Sequence, residues 1–362
     1  MSRVDVVVPC YQYGRYLRQC VLSVLAQEVV DVRVLIIDDA SSDDTEAVGR
    51  RLAAASPRVE YRRHPVNRGH VATFNEGVLG WAQHEYSLLL SADDLLTPGA
   101  LRRATAFMDA HPEVGMTYGR DVRLGPGDPI GPIDESTRIP SSASQMLPPG
   151  IGVVPAGGAV VVSGEQFLSI CSAFCDNPVP TPTVLVRTAV QHAIGGYRDD
   201  LPHSGDMEMW MRFAAHGPIG FVDARQGYYR WHGLNMQTRY AGAGGLDDLR
   251  QRLAAWRAIM ESCRHLIPAA DALTLRAVRC IADIALARAH QAFQDGDLPF
   301  CERCLAYARE VCPDIRTTTT YARMMWKRRL GRTTWSVLQP GYLFVRRLWR
   351  AGRPLAEASE SS

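Results

Sequence analysis

An apolar run, Leu88-Leu89-Leu90, ends abruptly in Ser91-Ala92-Asp93-Asp94. Adjacent carboxylates at the end of a buried strand repel one another and resist ionising unless a cation neutralises them. A divalent ion suits the position, because hard oxygen ligands select magnesium or manganese, which usually share their coordination with the phosphates of a bound nucleotide. The alternative is that Asp93 and Asp94 cap a helix begun by Thr97 and Pro98. From this segment alone both readings stand open. A second apolar strand, Val32-Arg33-Val34-Leu35-Ile36-Ile37, also runs into acids, at Asp38-Asp39-Ala40-Ser41-Ser42-Asp43. Before it, the strand Val4 to Pro9 leads into the loop Cys10-Tyr11-Gln12-Tyr13-Gly14 and an amphipathic helix near Tyr16 to Gln27. In an open α/β sheet, ligands bind outside the carboxyl ends of the strands, where these acids are delivered.

The order and spacing of five segments carry a family resemblance. They are Pro9-Cys10-Tyr11, Ile37 to Asp43, Ser91 to Asp94, Gly205-Asp206-Met207-Glu208-Met209-Trp210-Met211-Arg212, and Tyr229-Arg230-Trp231-His232-Gly233-Leu234-Asn235. Together they resemble the motifs of family 2 inverting glycosyltransferases of the GT-A fold. The resemblance covers residues 1–240 and not the C-terminal third. It implies an α/β catalytic domain with a Rossmann-like, mostly parallel sheet over 1–240, and the helix-forming pattern that follows predicts a C-terminal helical region over 241–362. It also implies a sugar moved from a nucleotide-diphosphate donor to an acceptor hydroxyl by metal-assisted direct displacement. UDP-sugars are favoured, with dTDP- and GDP-sugars as alternatives, and the metal is Mn2+ or Mg2+.

Residue by residue, Asp206 matches the catalytic base, with Glu208 as second choice. Gly205 departs from the family's usual glutamate before the aspartate. Ser91 departs from the first aspartate of the Asp-x-Asp motif, which limits it to hydrogen bonds with ribose or phosphate. Asp93, one residue beyond Ala92, matches the aspartate that contacts the ion, and His232 matches a late histidine that helps hold metal or diphosphate. Pro9 and Tyr11 at the first strand end and Asp39 at the second match the nucleotide-binding positions. There Tyr11 stacks on a pyrimidine, and Asp39 accepts the imide hydrogen of a uridine or thymidine. Asn67-Arg68-Gly69 resembles the start of the family's next helix and brings Arg68 near phosphate. Phe74 stands where relatives often carry arginine. Asp38 and Asp43 read as turn and cap residues.

Composition agrees with a globular enzyme. With 362 residues, 46% of them hydrophobic, the chain has ample material for a core, and a net charge of +2 carries no nucleic-acid signature. Strand-forming residues begin directly after Arg3, no run is apolar for long enough to span a bilayer, and the nine cysteines form no framework. These features lead us to expect a cytoplasmic protein, peripheral at most at the inner face of the membrane. Cys301-x-x-Cys304 reads as a packed helix face. Val59 to Tyr61 predicts a third strand, His70 to Trp81 a helix, Tyr86 to Leu90 the strand carrying the acids, and Val114 to Tyr118 a further strand. The Gly-, Pro- and Ser-rich stretch over 119–155 predicts an irregular loop, either an acceptor lid or disorder.

Past a linker at Gly242 to Gly245, Leu246 to Cys312 is helix-forming, and Ala289 to Val311 resembles one tetratricopeptide-like hairpin turned at Gly296. Met325 to Leu330 and Leu343 to Arg350 mix bulky apolar with basic residues. They form either a surface for an anionic membrane or a basic edge packed on the catalytic domain. Two other functions stay open: a nucleotidyltransferase and a non-catalytic nucleotide-sugar-binding partner. The first would carry a glycine-rich, basic phosphate loop where this chain has Cys10 to Gly14.

Overall fold

The computed structural model describes residues 2–338, apart from 29, 126, 129–157, 234, 236–244 and 336. It divides into two compact units between Ala277 and Val278. The division falls later than the expected boundary at 240, because the helix Asp247–Cys263 packs on the helix Gly205–His216 within the first unit.

The first unit is built on a mixed sheet. Its parallel half joins β1 (Arg3–Cys10), β2 (Asp31–Asp38), β3 (Val59–Arg63) and β4 (Tyr86–Leu89) in the order β3-β2-β1-β4. Val4, Val6 and Val8 on one face of β1 share a core with Leu17, Cys20, Val21 and Val24 of α1 (Gly14–Leu25). Val7, Leu35 and Ile37 are fully buried on the other face. Burial on both faces is why these strands read as continuous apolar runs. Helix α2 (Thr45–Ala55) follows β2, and its start leaves no room for a side chain at Gly14, whose Cβ would lie 2.1 Å from Asp44 Oδ1.

Because β1, β2 and β4 are parallel neighbours, Cys10 aligned with Asp38 and Val7 with Leu89, their carboxyl ends open on one edge. Pro9 to Tyr11, Asp38 to Asp43 and Ser91 to Asp94 therefore emerge side by side. Helix α3 (His70–Asn75) occupies the first half of the expected segment and continues as a π-helical stretch to Trp81.

Two expectations are corrected here. The chain after Asp94 is not yet helix, since Leu95–Leu96 form β5 against β9 (Ile219–Arg230). Thr97 donates its hydroxyl to the Arg225 carbonyl, and α4 (Ala100–Ala110) starts after Gly99, which holds φ 71°. Asp93 and Asp94 thus cap no helix at Thr97. The irregular stretch also begins later than 119, because β6 (Met116–Leu124) stays paired with β9 through register shifts around Arg120. Residues 126 and 129–155 of the expected acceptor lid lie outside the described residues, as do 242–244 of the linker.

Antiparallel strands complete the sheet: β7 (Ala159–Val162) on β9, and β8 (Leu185–Arg187) between β4 and β6. Helices α5 (Gly164–Phe174), α6 (Thr188–Ile194), α7 (Gly205–His216) and α8 (Asp247–Cys263) finish this unit. Helix α9 (Ala270–Asp295) runs across the division. In the second unit it meets α10 (Leu298–Val311) in the expected hairpin, with Gly296 at φ 87° in the turn. Cys301 and Cys304 are buried there, and burial raises both thiols, that of Cys304 to about 11. They form a packed helix face, as the spacing indicated. Helix α11 (Thr319–Leu330) follows, capped by Thr318.

Candidate active site

Asp93 and Asp94 are both buried where β4 ends. The end of β9 is fastened over them. The Arg230 amide donates to Asp94 Oδ1 at 2.9 Å, and the Arg230 guanidinium donates through Nε to the Asp93 carbonyl at 3.0 Å. His232 Nε2 lies 3.0 Å from Asp93 Oδ2, and its ring is stacked on Tyr16 and edge-on to Tyr13. Asn235 closes this turn by bonding the main chain of Arg230 and His232. Arg230, His232 and Asn235 therefore hold the two acids in place. Burial and the neighbouring charge of Asp93 push the Asp94 carboxyl well above the usual carboxylate range. Asp93 and His232 form a close carboxylate–imidazole pair beside a carboxyl that resists ionisation. Among the described residues no three His, Cys, Asp or Glu side chains are grouped to hold a metal.

Asp206 stands in the first turn of α7. Asn177 Nδ2 donates to its Oδ2 at 2.8 Å, the Thr181 hydroxyl at 3.3 Å, and the Met207 amide to its Oδ1 at 2.7 Å. The surrounding protein desolvates the carboxyl, and this outweighs the hydrogen bonds, so its proton affinity is raised. A cavity of about 300 Å3 runs from Asp206 to the end of β4 and is lined by Ser91, Asp94, Asp121 and Phe74 among others. Phe74 meets His70 and Tyr197 edge-on, forming an aromatic wall. Asp94, to which the family resemblance assigned no role, lines the cavity, whereas Asp93 is not among the lining residues.

Glu208 is a different case. It is 1% exposed and engaged by Arg212, whose Nε donates to Oε1 at 3.0 Å and whose other nitrogens hold the Ile194 and Gly196 carbonyls. The structure therefore removes Glu208 as a second choice for the base, since its carboxylate faces a fixed counter-charge.

At the other end of the edge, Tyr11 is half exposed, with its ring open for stacking, beside a partly buried Pro9. Asp39 is buried and already occupied: it accepts from the Arg68 amide at 2.8 Å, the Gly69 amide at 2.9 Å and His64 Nδ1 at 2.7 Å. A carboxylate offers about four acceptor positions, so one remains for a ligand. Arg68 is half exposed and paired to Glu76 at 2.7 Å. Ala92 is fully buried and contributes backbone only. Asp38 and Asp43 hold turns as expected, Asp38 accepting from the Ser41 amide, Tyr61 and Arg63, and Asp43 from the Thr45 amide at the start of α2.

Sequence reasoning missed Asn177, Thr181 and Asp121. They lie on segments without a local motif and reach the site only through tertiary packing. In the basic tail, Trp326 is half exposed, whereas Trp335 is buried with Lys327 over its ring. Residues 343–350 lie outside the described residues. No helix among the described residues is long and apolar enough to cross a membrane.

Residues 5–162 match the family model for glycosyl transferase family 2. An uncharacterized protein of Mycobacterium tuberculosis is 24% identical over 257 residues, 70% of this chain and 75% of that protein. The chondroitin synthase of Pasteurella multocida is 35% identical over 98 residues, 27% of this chain but only 10% of the synthase. The crystal structure of S. aureus TarS 1-349 in complex with UDP-GlcNAc superimposes with a TM-score of 0.55 at 15% identity, covering 88% of this chain and 92% of that one. The matched family model and the shared architecture converge: residues 5–162 carry a glycosyl transferase family 2 domain, and the chain has the GT-A fold.

Proposed function

We propose that the protein transfers a sugar from a nucleoside-diphosphate donor, preferably a UDP-sugar, to an acceptor hydroxyl with inversion at the anomeric carbon. The observation that carries this reading is that Asp206, Ser91 and Asp94 line one cavity, while Asp93, next to Asp94 in the chain, pairs with His232. Asp206 is the base. Asn177 and Thr181 aim its Oδ2, and desolvation gives it the proton affinity a hydroxyl-deprotonating carboxylate needs. Tyr11 stacks on the nucleobase and the remaining acceptor position of Asp39 takes its imide hydrogen. Asp93 and His232 hold a divalent cation. When bound, that ion supplies positive charge against the diphosphate.

The match to a UDP-GlcNAc complex by fold supports a UDP-sugar as donor. A panel of nucleoside-diphosphate sugars, scored by thermal stabilisation with and without manganese, tests the reading. A donor at a hundred times its Kd stabilises by about 2.7 kcal/mol. Failure of every UDP-sugar to stabilise the protein, in a preparation that is folded, contradicts it.

A further inference from the structure

We infer that His64 is a positioning residue for donor recognition: its ring, bridging Asp39 and Glu76, fixes the carboxylate that faces the nucleobase. The inference rests on the role proposed above for Asp39. The ring is 5% exposed, and both of its nitrogens face carboxylate oxygens, Nδ1 at 2.7 Å from Asp39 Oδ1 and Nε2 at 3.0 Å from Glu76 Oε2. The charged groups around it are Asp39 from the end of β2, Glu76 from the π-helical continuation of α3, and Arg68 from the intervening turn, which pairs with the same Glu76 oxygen at 2.7 Å.

The bridge has reach beyond its own contacts. Asp39 also gathers the Arg68 and Gly69 amides, the latter at φ 84°, a conformation glycine adopts without a Cβ penalty. Through Glu76 the ring is joined to α3. That helix is tied to the segment entering α7, because Asn75 exchanges two hydrogen bonds with the main chain of Tyr197 and His70 Nε2 donates to the Pro202 carbonyl. His64 thus links the nucleobase end of the edge to the segment that presents Asp206. Loss of the ring leaves Asp39 without one of its three fixed partners, so donor affinity falls. Steps that follow donor binding do not depend on that contact, so the donor KM moves and kcat holds.

The test is calorimetric titration with UDP of the wild type, His64→Gln, Glu76→Gln and Asp39→Asn, with donor KM and kcat measured alongside. His64→Gln, with an unchanged melting profile, is expected to bind UDP about tenfold more weakly and to raise the donor KM while kcat holds. Glu76→Gln is expected to weaken binding less. Wild-type UDP affinity in His64→Gln, or a fall in kcat with KM unchanged, overturns the inference. If instead Asp39→Asn binds UDP undiminished, it is the nucleobase reading that fails.

Discussion

His232 Nε2 lies 3.0 Å from Asp93 Oδ2, although the two residues are 139 positions apart. The contact joins the end of β9 to the end of β4 and places an imidazole beside the strand-end acids. We therefore predict that Asp93→Ala removes the metal-dependent increment in UDP binding, whereas Asp39→Ala weakens binding with or without metal. Titrations in manganese, magnesium and chelator separate the two. Metal dependence that survives in Asp93→Ala would place the ion elsewhere.

Replacing the base tests a different step. Asp206→Asn is expected to lower transfer by roughly a hundredfold or more while leaving UDP affinity nearly unchanged, because the base acts on the acceptor. Rates and titrations on one folded preparation check this. Near-normal turnover would remove Asp206 from the role.

Desolvation raises the Asp206 proton affinity, and the sign of its effect can be worked through. Stability contributed by its proton is full below the unfolded carboxylate value of about 3.9 and is lost as pH rises through the raised folded value. Melting temperatures of Asp206→Asn are expected to gain on the wild type across that window. The acid limb of the rate profile should lie above the range of an ordinary exposed carboxylate. A limb at or below that range contradicts the environment described for Asp206.

Glu208 serves as the contrasting acid. Glu208→Gln leaves the buried Arg212 guanidinium without its counter-charge, at a cost of about 3 kcal/mol. Chemical denaturation should register that loss, while the folded fraction keeps its turnover.

Much of this was legible in the chain, for identifiable reasons. Strands buried on both faces announce themselves as apolar runs, so β1, β2 and β4 and the acids at their ends could be read directly, and helical spacing revealed the hairpin at Gly296. What failed were features decided by distant partners. Leu95–Leu96 became a strand only because β9 lies alongside, which moved the helix start from Thr97 to Ala100. Gly119 to Leu124 stayed in the sheet through the same neighbour. Asn177 and Thr181 meet Asp206 across 29 and 25 residues, and His64 meets Asp39 across 25, separations that no local pattern encodes.

On the helix Thr319–Leu330, Arg323, Trp326 and Arg329 are exposed on related turns. We propose that this face meets an anionic membrane, each basic residue contributing about 1 kcal/mol. The double variant Arg323→Glu, Arg329→Glu should lose salt-sensitive flotation with anionic vesicles while donor hydrolysis persists. Equal flotation, or none by the wild type at low salt, would assign these residues to another role.

A panel of UDP-sugars followed by NMR with the wild type and Asp206→Asn decides whether Asp206 is the base of an inverting transfer. The wild type is expected to release UDP from at least one donor and to yield a sugar product of inverted anomeric configuration, while Asp206→Asn still binds the donor but cleaves UDP from it at least about a hundredfold more slowly. A product of retained configuration, or equal rates of cleavage by both proteins, would contradict that role.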